Sequence, residues 1–113
     1  MKQYTNEIQT AKLIELGFEK PFRNEYLHIV EEYGYAVNKE RNFSIGELLE
    51  MMPMAIGDDY LDISSPFGED DNWFITYGRQ VYDEWEDPYT FINKELLDAL
   101  YDMVVKLKEE EVI

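Results

Sequence analysis

The chain has 113 residues, with 25 Asp and Glu against 10 Lys and Arg, a net charge of −15. That length holds one domain with its own core. The charge argues against direct nucleic acid binding and against an anionic membrane surface, both of which need Lys and Arg opposite phosphate. Cysteine is absent, so disulfides, thiolate nucleophiles and cysteine-ligated zinc are excluded.

The spacing predicts a first helix over Asn6 to Leu16, with Thr5 as N-cap, Glu7 favouring the positive end of the dipole, and Gly17 closing it. Ile8, Ala11, Leu13, Ile14 and Leu16 form a broad apolar face, so this helix is expected to be well buried. Tyr26 to Val30 and Tyr33 to Val37 read as two short strands around an acidic turn at Glu31-Glu32, with Gly34 able to shift that turn. Asn38 to Asn42 is a polar loop.

Ser44-Ile45-Gly46-Glu47 is a capping box, with Phe43 and Leu48 placed for a hydrophobic staple. The helix it starts is about two turns long, and Pro53 ends it. Tyr60 to Ser64 alternates as a strand does. Trp73 to Tyr77 is rich in strand formers, and the eight residues between these segments require an antiparallel pair. Gly78 to Pro88 is ambiguous: Val81-Tyr82 extends a strand or ends one, and Asp83 to Pro88 reads as a loop. Tyr89 to Ile92 reads as an edge strand or the approach to the last helix. That helix runs from Asn93, its expected N-cap, to Glu109. Leu96, Leu97, Leu100, Met103, Val104 and Leu107 share one face, and Asp98, Asp102, Lys106 and Glu109 lie opposite.

These elements predict an α+β fold over residues 1 to 113: a small, mainly antiparallel sheet with helices packed on one face. The first and last helices are expected to cover the sheet together, and the two-turn helix to close one end. The expected core is Leu16, Leu48, Leu49, Leu61, Ile63, Trp73, Ile75, Leu96, Leu100, Met103 and Leu107. No apolar run approaches the roughly 20 residues needed to cross a bilayer. Met1 to Glu7 lack the apolar stretch of a signal peptide. A cytoplasmic protein is the expectation.

Three segments carry a resemblance: Thr10 to Gly17, Phe43 to Pro53, and Leu96 to Leu107. Together they frame nearly the whole chain, which resembles a family of small uncharacterised bacterial proteins from mobile-element and prophage neighbourhoods. The resemblance implies an α+β fold and a mobile-element origin. It implies no catalytic residue, because that family has no established activity.

Chemistry-bearing motifs are sparse. His28, the one histidine, has no partner at a recognisable catalytic spacing and reads as a structural or surface residue. The glycines are isolated, so no phosphate-cradling loop exists. Asp58-Asp59, Glu69-Asp70-Asp71 and Asp83 to Asp87 offer oxygen ligands without EF-hand spacing. No catalytic residue, metal ligand or cofactor is assigned.

The charge is lopsided: residues 1 to 56 hold 9 acids and 6 bases, residues 57 to 113 hold 16 acids and 4 bases. The expected role is that of an accessory or protein-binding protein meeting a basic partner. Its contact set is Trp85 with Asp83, Glu84, Glu86 and Asp87, an aromatic anchor among acids. Two alternatives come from other classes. One is a nucleic-acid mimic inhibiting a DNA-binding protein, with Glu95, Asp98, Asp102 and Glu109 on the outer face of the last helix. The other is a metal-dependent hydrolase using grouped acids.

Overall fold

A computed structural model describes residues 1–19, 29–32, 34–38, 41–66, 71–81 and 84–113; for 29–32, 36–38, 80, 81 and 84–88 the description is of the backbone. The chain runs α1 (Glu7–Glu15), β1 (Ile29–Glu32), β2 (Tyr35–Asn38), α2 (Ile45–Met51), β3 (Ala55–Ile56), β4 (Asp59–Ser64), β5 (Trp73–Val81), β6 (Glu84–Asn93) and α3 (Leu96–Glu109). The architecture is α+β. One antiparallel sheet has the order β3-β4-β5-β6, and β1 and β2 form a separate antiparallel pair. His28 lies outside the described residues.

The start of α1 falls one residue later than the sequence suggests. Asn6, not Thr5, is the N-cap: its Oδ1 accepts from the Gln9 amide at 2.8 Å, and Gln9 Oε1 accepts from the Asn6 amide at 3.0 Å. Thr5 is instead buried. At the other end, Gly17 takes φ +99°, where a Cβ would be strained. Its amide reaches Ile14 O and the Phe18 amide reaches Leu13 O, both at 3.0 Å, so two orphan carbonyls are satisfied and Phe18 folds back. The helix itself is peripheral rather than well buried. Only Thr10 and Leu13 are enclosed, and Ile8 is 82% exposed. Nine residues give one narrow stripe, too short to cover a sheet.

In the β1–β2 pair, Glu32 stands opposite Tyr35. Glu31 and Glu32 therefore belong to the strand, and the connection falls later than the expected acidic turn. Gly34, at φ +84°, moves it there. The expected strand residues 26–28 lie outside the described residues.

The start of α2 is as the sequence predicts. Ser44 Oγ accepts from the Glu47 amide at 3.1 Å and Glu47 Oε1 accepts from the Ser44 amide at 3.0 Å. Phe43 and Leu48 are both buried. Met52 turns extended (ψ 127°), because a residue before proline is pushed out of the helical region.

A strand absent from the sequence reading follows. Ala55 and Ile56 pair with Tyr60 and Asp59 across Gly57-Asp58, with Gly57 at φ +60°. This is a two-residue hairpin whose first turn residue must be glycine-like. β4 then pairs with β5, and β5 with β6, well beyond the expected Trp73 to Tyr77. Residues 84 to 88 are strand, not loop. Between the pairs Tyr77–Tyr89 and Arg79–Glu86, β5 spends one residue and β6 two. The extra residue is a bulge at Asp87-Pro88, on the strand that ends the sheet order. Bulges and edges are where a strand tolerates a proline, which donates no ladder hydrogen bond.

The core lies between α3 and the sheet. Leu97, Ala99, Leu100, Met103, Val104 and Leu107 of α3 enclose Ile75 and Tyr77 of β5, joined by Leu13, Phe43, Leu48 and Met52. Three expected core members stand outside. Leu16 is the half-buried C-cap of α1. Trp73 is half-buried at the end of β5, opposite Asn93. Ile63 is 37% exposed on β4, because α3 packs on β5 and β6 instead. Leu49, Leu61 and Leu96 are half-buried against the core. α3 covers the sheet, and α2 packs closely against α3, whereas α1 reaches α3 through long polar side chains. Asn93 also differs from expectation: it is the last residue of β6, and its Oδ1 accepts from the Glu95 amide at 2.9 Å. The N-cap position is Glu95.

Tyr77 locks the sheet to the end of α2. Its hydroxyl donates to Pro53 O at 2.6 Å from a fully enclosed position. Burial pushes its pKa from 10.0 to about 12. A raised folded value means stability that is complete below about pH 10 and lost as pH rises towards 12. Tyr77→Phe should cost about 1 kcal/mol in urea unfolding at pH 7. It should also remove the Tyr77 share of the alkaline stability loss, read by melting between pH 9 and 11.

Candidate functional site

Among the described residues, polar and aromatic side chains meet on the outer side of α3 and in a cleft between α2 and the segment after α1, and the backbone sets further such residues along the β5–β6 ribbon. On α3, the four acids that spacing puts on an outer face are not an open stripe. Lys2 donates its backbone N–H to Glu95 Oε2 at 3.0 Å and its Nζ to Asp98 Oδ2 at 3.1 Å. Gln9 Nε2 donates to Asp98 Oδ1 at 2.8 Å, and Lys12 Nζ lies 3.5 Å from Glu109 Oε1. The N-terminal segment and α1 thus lie along this side. The Asp98–Asp102 repulsion at i,i+4 is offset on Asp98 by Lys2. Asp102, half-buried, keeps a raised pKa, first from burial and then from Asp98.

At the C-terminal end of α3, Lys106 Nζ sits 2.8 Å from Glu110 Oε1. Lys106 first and Tyr89 of β6 second lower the Glu110 pKa by hydrogen bonding to its carboxylate, which in turn raises those of Lys106 and Tyr89. Across the sheet, Arg79 meets both members of an acidic pair, Nη1 at 3.4 Å from Asp58 and Nε at 3.6 Å from Asp59.

The expected contact set lies on the β5–β6 ribbon. Trp85 pairs in register with Gln80, Glu86 with Arg79 and Glu84 with Val81. β4 pairs with β5 only as far as Gly78, so positions 79–81 and 84–86 form a two-stranded ribbon beyond it. The backbone thus brings Glu84, Trp85, Glu86 and Asp87 together on one strand. Asp83, and the side chains of the other four, lie outside the described residues.

The cleft was not legible in the sequence. Phe18 and Glu19, after α1, face Phe43, Glu47, Glu50 and Met51 around a cavity of about 210 Å³. The turn at Gly17 delivers Phe18, and the i,i+3,i+4 spacing of α2 puts Glu47, Glu50 and Met51 on one side. Phe43 is buried, Phe18 and Met51 are half-buried, and Glu19 and Glu50 are exposed. Lys108 Nζ stands 5.4 Å from the centre of the Phe18 ring. Glu47 is committed to the cap of α2. The available signal was the Glu47-Glu50-Met51 spacing, but nothing in a linear pattern places Phe18 beside it.

Among the described residues, no three His, Asp or Glu side chains converge to hold a metal ion, and no helix is long and apolar enough to cross a membrane. No family model, curated protein or solved structure matches the chain. The resemblance to small mobile-element proteins therefore rests on the three sequence segments alone.

Burial and then Asp98 make the fold favour the protonated carboxyl of Asp102. Its contribution is complete below the ordinary value of 3.8 and is lost as pH rises, so its charged form opposes folding at neutral pH. Asp102→Asn should raise the melting temperature at pH 7, with the gain vanishing near pH 3 when melts are compared.

Proposed function

We propose that the protein is a small acidic binding protein whose partner is a basic protein surface. The observation that supports this is the charge left after internal pairing. Of the 10 bases, Lys2, Lys12, Arg41, Arg79 and Lys106 already meet acids of the same chain. With 25 acids in total, one-to-one pairing leaves most of the negative charge unmatched. Such a surface raises the local concentration of a cationic partner and speeds encounter.

The contact set we assign is Trp85 with Asp83, Glu84, Glu86 and Asp87. Its strand ends the sheet order, so one backbone edge of β6 is not paired by another described strand. An edge of this kind is a place for β-addition, and acids along it discourage indiscriminate pairing. A partner that matches charge as well as backbone is then selected. The stripe needed for the nucleic-acid-mimic reading is engaged by Lys2, Gln9 and Lys12, which favours a basic protein surface met through β6 instead.

Hexalysine serves as a minimal basic partner. Calorimetry should show binding that weakens several-fold between 50 and 200 mM salt, as expected when charges are screened over a Debye length near 10 Å. The pair Glu84→Lys/Glu86→Lys should weaken it further, and Trp85→Ala should do so at both salts. Absence of binding at 50 mM salt by folded protein would contradict the reading.

A further inference from the structure

We infer that the cleft between α2 and the segment after α1 receives a lysine side chain of the basic partner, an inference that rests on the binding reading above. Its floor and walls are apolar: Phe43 is buried beneath it, and Phe18 and Met51 flank it half-buried. Its exposed rim is anionic, with Glu19 arriving from the segment after α1 and Glu50 from α2. Among the described residues neither Glu19 nor Glu50 has an ion-pair partner. Lysine has the same two-part character, an aliphatic stem ending in a compact ammonium, and buries the stem while the head stays near water. Carboxylates arriving from two elements suit its rotatable donors better than they suit a planar guanidinium fork.

Two other occupants fit worse. At about 210 Å³ the cavity is smaller than the roughly 300–1,000 Å³ of a typical small-molecule site. The acids do not converge as ligands of a metal ion would, and a bare ion leaves the apolar walls without a role. A single side chain from a larger partner satisfies both parts of the cleft. The Phe18 ring already stands 5.4 Å from one ammonium, Lys108, so its face is in use as a cation contact on the protein's own account. The new contact therefore relies on the ring as an apolar wall, and on Glu19 and Glu50 for charge.

The test is a nitrogen-15 amide NMR titration of the full chain with hexalysine at 50 mM salt. Binding should shift the Phe18, Glu19, Glu50 and Met51 amides saturably. Both glutamates are exposed, so Glu19→Gln/Glu50→Gln should leave the β5 spectrum unchanged. It should weaken binding at those amides by about fivefold, the scale of one or two exposed ion pairs. A parallel titration with Mg²⁺ at equal charge should not reproduce the Phe18 and Met51 shifts. If hexalysine binds elsewhere without moving these four amides, or the double variant binds unchanged, the cleft inference falls while the binding reading stands. If Mg²⁺ gives the same shifts, the apolar part of the inference falls. If hexalysine does not bind at all, both fall.

Discussion

The buried hydroxyl of Thr5 joins parts of the chain that are otherwise far apart. Its Oγ1 accepts from the Phe43 amide at 2.9 Å and lies 2.7 Å from Thr10 Oγ1. The Thr5 amide donates to Phe43 O at 2.8 Å, and Asn42 Nδ2 donates to Thr5 O at 2.7 Å. Thr5, Thr10 and Asn42 have no exposed surface. On either side the pairing continues, with Tyr4 bridged to Ser44 and the Ile45 amide on Gln3 O at 3.2 Å. Removing the hydroxyl leaves the Phe43 amide buried without its acceptor, a loss of about 1–3 kcal/mol. Marginally stable domains do not ignore a loss of that size.

The other features depend on this pin. It sets where α1 starts relative to α2, and so brings Phe18 and Glu19 across from Glu50 and Met51. It also holds the N-terminal segment where Lys2 reaches Glu95 and Asp98. The ion pairs on this side of α3 are half-buried at Lys2–Asp98 and more exposed at Lys12–Glu109, and pairs at a surface contribute little, typically about 1 kcal/mol or less each. They act as register marks on a segment that the buried hydrogen bonds hold in place.

Local chemistry was legible in the sequence, and assembly was not. The Ser44–Glu47 box, the stop at Pro53 and the α3 stripe each depend on neighbours within four residues, and each appears where its pattern puts it. Thr5 misled because a hydroxyl before a helix has two uses, and the burial that decides between them comes from residues 42 and 43. Pro88 and its acids suggested a loop, since a bulge on an edge strand is defined only by the partner strand. Ile63 and Trp73 have the composition of core residues, yet α3 lies over β5 and β6 and leaves them at the margin. The candidate cleft was hidden for the same reason: its two walls are separated by more than twenty residues. The proposed partner, by contrast, follows from charge, which composition reports directly.

The Thr5 hydroxyl couples α1 to the start of α2. A double-mutant cycle with Thr5→Val, Thr10→Val and the combined variant, followed by urea unfolding, tests it most directly. Thr5→Val should lose about 1–3 kcal/mol, and the two sites should be coupled by at least about 0.5 kcal/mol. A Thr5→Val variant as stable as the parent, or strictly additive losses, would contradict it.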